Sequence, residues 1–147
     1  MSDTCLNHIE SYWQKLTVSA NELFDRGECN QALSSYKEAL YRAEVLNKFT
    51  NRCEDLDIPF KQVYIISCNN LANTYEELGE LKEAEKLLRR VVYFLLHLAG
   101  NKEHNLDEIK SELKRATLSY LCFVEKTNTG KEEQKQLIAV LQEEIVE

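Results

Sequence analysis

Five cysteines, three histidines and 25 acidic side chains are the groups of this 147-residue chain that could hold a metal, act as a nucleophile or move a proton. Their spacing assembles none of these chemistries. His8, His97 and His104 stand far apart: near one end, in an apolar run and in a polar stretch. Cys5 and His8 lie one helical turn apart and suit two ligands of one metal. A structural zinc site needs four, however, and no second pair has matching spacing. Cys5, Cys29, Cys53, Cys68 and Cys122 are scattered and odd in number, so they read as free thiols of a reducing cytoplasm. Glu76-Glu77, Glu132-Glu133 and Glu143-Glu144 read as solvated helix faces. No glycine-rich phosphate loop, nucleophile elbow or paired-histidine helix occurs. A hydrolase or transferase needs a base, a nucleophile and a charge stabiliser brought together. No such set is visible, and the expectation is no enzymatic activity, no metal and no cofactor.

Charge and hydropathy narrow the classes of partner. A net charge of -7 and a pI near 5.1 oppose nucleic acid, which is bound by exchanging condensed counterions for lysine and arginine. The opening Met1-Ser2-Asp3-Thr4 has no basic stretch before an apolar one, so no export signal is expected. The longest nearly apolar run, Val91 to Gly100, is about half of the roughly 20 residues a membrane span requires. At 44% hydrophobic residues the chain has enough apolar surface for one domain with its own core. A cytoplasmic protein with no membrane or nucleic-acid partner is expected.

The elements that position these residues are helices. Leu6, Ile9, Trp13, Leu16, Ala20 and Leu23 advance in steps of three and four, and Gly27 ends that run. Ala32, Tyr36, Ala39, Leu40, Ala43 and Leu46 form the stripe of a second helix, from about Asn30 to Phe49. Asn51 to Pro59 reads as a turn, with Pro59 suited to the first turn of the next helix. A third helix is expected from Pro59 to Leu78, with Ile65, Cys68, Leu71, Ala72, Tyr75 and Leu78 inward, stopped by Gly79. The fourth carries a wide stripe: Leu81, Ala84, Leu87, Leu88, Val91, Val92, Leu95 and Leu98. After a polar loop, Asn105 and Glu108 form a capping box for a fifth helix ending near Asn128. Thr129-Gly130-Lys131-Glu132 repeats the capping pattern before a last helix with Leu137, Ile138, Leu141 and Ile145 on one side. The expectation is an all-α chain of about six helices in three antiparallel pairs, at about 4–50, 59–100 and 105–146.

Gly27, Gly79 and Gly130 each fall between two of these helices, separated by 52 and 51 residues. Around the first two the side chains match as well: residues 23–32 align with 75–84, Ala32 with Ala84, and then Tyr36 with Leu88. Ala20, Leu23, Gly27, Ala32, Tyr36, Ala39 and Leu40, and again Leu71, Ala72, Tyr75, Gly79, Ala84 and Leu88, resemble the tetratricopeptide repeat family. The resemblance departs from the family in its period, which is usually about 34 residues, and in having no proline after either second helix. The architecture resembles that of small uncharacterised bacterial tetratricopeptide proteins with elongated repeats, a likeness that brings no activity with it. Lys135 stands where the third repeat should have a small residue, so that pair reads as a degenerate closing repeat with a polar outer face.

The resemblance implies an α-α superhelix in which the first helix of each pair lines a concave groove. On the third helix the lining face carries Ile66, Asn69, Asn70, Asn73, Glu76 and Glu77; on the first it carries Gln14, Thr17, Asn21, Phe24 and Asp25. Asparagine offers a donor and an acceptor, so a ladder of them can hold an extended peptide backbone, with Phe24 and Ile66 as apolar anchors. The same asparagines would equally serve as solvent-facing residues bonded to local backbone. Some members of the family hold a partner's terminal carboxylate with lysines and asparagines. Asn21 and Asn70 match that pattern, but Thr17, Thr117 and Leu121 stand where the positive charges belong, so no such clamp is expected. The functional expectation is a module that binds a protein or peptide segment of unknown identity. A homo-dimer or other homo-oligomeric scaffold, or a secretion-type chaperone, is the alternative.

Overall fold

The computed structural model describes residues 1–101 and 105–146. Among them the chain is helical, without strands, and forms seven helices rather than six: α1 (Asp3–Asp25), α2 (Cys29–Leu46), α3 (Thr50–Asp55), α4 (Phe60–Glu77), α5 (Leu81–Ala99), α6 (Leu106–Thr127) and α7 (Lys131–Val146). His104, expected in the polar loop, lies outside the described residues, as does the side chain of Ile145. The chain divides into two compact units, Met1–Glu80 and Leu81–Glu147.

In the first unit α2 packs against both α1 and α4. Its whole expected stripe is buried: Ala32, Tyr36, Ala39, Leu40, Ala43 and Leu46. From α1, Leu6, Trp13 and Ala20 are buried, while Ile9, Leu16 and Leu23 are half-buried. Trp13 donates its indole N–H to Ser67 Oγ at 2.7 Å, and Ser67 donates to the Val63 carbonyl at 2.7 Å. This buried chain of bonds ties α1 to α4. On α4 the buried set is wider than the expected stripe, adding Phe60, Val63, Tyr64, Ser67 and Thr74 to Cys68, Leu71 and Ala72; Ile65, Tyr75 and Leu78 are half-buried.

The extra helix, α3, occupies the stretch read as a turn. Its Asp and Asn content resembles a loop, but Cys53 is fully buried and its thiol donates to the Leu46 carbonyl. Arg52 reaches the Met1 carbonyl and the Asp3 carboxylate, holding the outer side of α3 to the start of α1. A buried anchor and a tethered cation thus outweigh polar composition. The helix closes with Asp57 in the left-handed region, the Ile58 N–H donating to the Cys53 carbonyl at 2.8 Å.

The same closure ends α1 and α4 at Gly27 and Gly79. The N–H of Glu28 reaches the Leu23 carbonyl, and that of Glu80 reaches the Tyr75 carbonyl. Both glycines have positive φ, yet a side chain at either would meet no atom within 4 Å. Glycine is required there by backbone angle and not by space. Gly130 is different, and the expected equivalence of the three glycines fails at this position. Helix α6 is closed by Asn128, itself left-handed at φ 56°, so Gly130 does not terminate it. Gly130 instead combines a φ of +90° with a crowded site, where an added Cβ would lie 2.6 Å from Glu85 Cγ. The expected capping role of Thr129 is absent too: its hydroxyl donates back to the Thr127 carbonyl. At the start of α6, by contrast, Asn105 does cap, accepting from the Glu108 N–H at 3.2 Å.

The second unit is built on α5, which packs along α6 and buries Ala84, Leu87, Val91, Val92, Leu95 and Leu98. Ile109, Tyr120, Phe123 and Val124 from α6 and Leu137 from α7 complete its core. Ile138 and Leu141 are half-buried.

The two kinds of glycine should separate on mutation. Gly27→Ala suffers only the backbone penalty and should lower stability by about 1 kcal/mol. Gly130→Ala adds the collision with Glu85 and should lower it by about 2 kcal/mol or more. Urea denaturation of both variants gives the comparison, and equal losses would contradict the crowding at Gly130.

Candidate functional site

The residues expected to line a groove all fall in the first unit, on α1 and α4, the two helices joined through Trp13 and Ser67. On α4, Ile66 is 42% exposed, and Asn69 and Asn73 follow it exposed at intervals of three and four, so the three share one outer face. Asn70 and Glu76 are half-buried, and the Asn70 carbonyl accepts from the Thr74 hydroxyl at 2.8 Å. On α1, Gln14 and Asn21 are exposed and Phe24 is half-buried. Val18, at 57% exposure, lies between Gln14 and Asn21 in the same register, and Gln14 and Val18 border an open depression of about 380 Å³. Asn21 uses its side-chain carbonyl to accept the Tyr36 hydroxyl. Burial, and then the charge of Asp25, push the Tyr36 phenol above its usual pKa.

Thr17 requires a correction. It is only 8% exposed, and its hydroxyl oxygen has no hydrogen-bond partner among the described residues. Position 17 lies one turn from buried Trp13 and three residues before buried Ala20, so the inner stripe of α1 runs through 13, 17 and 20. Thr17 therefore presents nothing to a ligand.

A second cluster was not anticipated from the sequence. Tyr12 on α1 and Tyr41 on α2 are 39% and 64% exposed, and the Arg42 guanidinium lies 4.6 Å from the first ring centre and 6.0 Å from the second. With His8, Ile9 and Val45 they border a depression of about 430 Å³ that Met1 also lines. Periodicity could not find this group, because it identifies inward positions and these residues lie outside them. The available signal was an aromatic residue placed on the polar side of each amphipathic helix, beside inward Trp13 and Leu40.

The third cluster is buried in the second unit. Glu85, 4% exposed, accepts from Arg89 Nε at 3.0 Å, from Arg89 Nη2 at 3.1 Å and from the Tyr120 hydroxyl at 2.5 Å. Burial first, then the hydrogen bond to Glu85 and its charge, push the Tyr120 phenol well above its usual pKa. Burial pulls Arg89 downward, but the bonds and charge of Glu85 outweigh it and raise the guanidinium pKa. The three groups satisfy one another, and Gly130 seals the carboxylate from the α7 side. Such an arrangement ties α5 to α6.

Among the described residues no group of three or more His, Cys, Asp or Glu side chains is placed to hold a metal ion, and no helix is long and apolar enough to cross a membrane. Cys5 and Cys122 are exposed, Cys29 is half-buried, Cys53 and Cys68 are buried, and none forms a disulfide. Burial, reinforced by Glu10, pushes the Cys53 thiol above its usual pKa, away from the reactive thiolate form.

A model of a family described as protein of unknown function (DUF2753) matches residues 11–145 of the chain. No curated protein and no solved structure matches it. The buried cluster can be tested without reference to function. Because the folded pKa of Tyr120 lies above the unfolded value near 10, the neutral phenol contributes stability that is complete below about pH 10 and lost as pH rises through the folded pKa. Thermal melts between about pH 9 and 12 should therefore fall more steeply for the wild type than for Tyr120→Phe. The Tyr36 contribution has the same sign and is common to both proteins.

Proposed function

The chain belongs to the DUF2753 family, and from that premise we propose that it is a protein-interaction module that holds a segment of a partner along the outer faces of α1 and α4. The observation that carries this reading is the pattern on those faces. Val18 and Ile66 are apolar residues in solvent beside side-chain amides: Val18 lies between Gln14 and Asn21 on α1, and Ile66 is followed by Asn69 and Asn73 on the same face of α4. An amide can donate and accept at once, so such a row can bond a peptide backbone with little regard to its side chains. Each apolar residue offers a contact beside the row.

Two further features support the reading. The Trp13–Ser67 hydrogen bond is buried and holds the two helices in a fixed relation, which reduces the ordering that binding would otherwise cost. The packing of α2 against α1 and α4, with Gly27 and Gly79 at matching helix ends, suits a tetratricopeptide-like arrangement of this unit. The groove lining is then Gln14, Asn21 and Phe24 on α1 with Ile66, Asn69, Asn70, Asn73 and Glu76 on α4.

The combined substitutions Ile66→Ala, Asn69→Ala and Asn73→Ala change residues outside the buried core and should leave the helical circular dichroism unchanged. Affinity capture from extract of the source cells, with wild type and variant as parallel baits, should lose the wild-type partner in the variant. Equal recovery by both baits would rule out this face.

A further inference from the structure

An aromatic surface around Arg42 lies on α1 and α2, away from the amide rows. Three observations bear on what it would take. First, the depression of about 430 Å³ is walled by apolar and aromatic groups, Ile9, Tyr12, Tyr41 and Val45 among them, and has the size of a site for one or two side chains. Second, in a chain of net charge -7, no carboxylate borders it among the described residues, whereas Arg42 and His8 do. Third, Arg42 has no carboxylate within ion-pair distance among the described residues. Its one polar contact is a long 3.5 Å bond to the Glu38 carbonyl.

The position of Arg42 makes the third observation specific. Tyr12 and Tyr41 engage the guanidinium through their rings, at 4.6 and 6.0 Å. A ring contact supplies no hydrogen-bond acceptor in the plane of the guanidinium N–H groups. Among the described residues the Glu38 carbonyl is the one acceptor Arg42 meets, so N–H groups remain for a carboxylate. Tyrosine and arginine are also the residue types most often found to dominate binding energy at protein interfaces. An arginine held by exposed tyrosines, beside an apolar hollow with no acid on its rim, is complementary to a carboxylate carried next to an apolar side chain.

We propose that this surface binds an acidic segment of a partner protein, with an Asp or Glu side chain on the edge of Arg42 and a neighbouring apolar side chain in the hollow between Ile9, Tyr12 and Val45. The site is independent of the α1 and α4 amide rows, and its test does not depend on them.

The probe is an array of capped dodecapeptides in which Glu or Asp stands beside Leu, Ile or Phe, paired with counterparts in which Gln or Asn replaces each acid. The best acidic peptide is then titrated by fluorescence anisotropy against the full chain at low salt. The wild type should bind acidic members and not their amide counterparts. Arg42→Gln should weaken the best peptide by about tenfold or more, and Tyr41→Ala should weaken it measurably. Tyr41 is exposed and Arg42 half-buried, and unchanged circular dichroism would establish that the variants are folded. Failure of every acidic peptide to bind, equal binding of the amide counterparts, or equal affinity of Arg42→Gln would each overturn the proposal. So would sedimentation velocity showing a wild-type dimer that Arg42→Gln dissociates, because the occupant would then be a second copy of the chain.

Discussion

The first unit depends on the burial of one face of α2 between α1 and α4. Ala32, Ala39 and Ala43 are at most 1% exposed, and they contribute mainly by being small, letting backbones approach. Leu40 and Leu46 in the same stripe supply the apolar area, each stabilising by about 1.5–3 kcal/mol on burial. Tyr36 buries its ring yet places its hydroxyl on Asn21, so the stripe ends in a satisfied polar contact at the surface of α1. Because α2 fills its inner stripe with small residues and a few large ones, α1 and α4 are held close enough for Trp13 to reach Ser67. The outward faces of both helices are left free as a consequence.

The second unit is organised around a charge. An ion removed from water loses several kcal/mol of solvation, and Glu85 recovers this only because three donors converge on its two oxygens. That solution constrains its surroundings. Tyr120 must stay neutral to donate, Arg89 must sit one turn away, and Gly130 must lack a side chain for α7 to begin where it does. The glycine continues the spacing set by Gly27 and Gly79, but its physical task is to make room for a carboxylate.

The contrast between Arg89 and Arg42 separates structure from candidate function. Arg89 is neutralised by a buried partner, to which it gives two N–H bonds. Arg42 meets aromatic rings at the surface and forms no ion pair among the described residues.

Much of the helical architecture was legible in the residues themselves. A 3.6-residue period identified every buried position of α2, and the glycines after α1 and α4 marked helix ends because only a left-handed residue closes a helix in that way. Helix α3 was hidden, since six polar-rich residues have no period and what stabilises them is the burial of Cys53 and the tether of Arg52. Among the site residues, Ile66, Asn69 and Asn73 could be placed outward from spacing alone, while Thr17 could not be distinguished from Leu16 as the inner position. Sequence by itself determined the six longer helices and their main apolar stripes, because these follow from near-neighbour geometry along one helix. Only the tertiary structure decided that Glu85 is buried and satisfied, that Gly130 is needed for it, and that Tyr12 and Tyr41 meet across Arg42, because each depends on groups that different helices bring together.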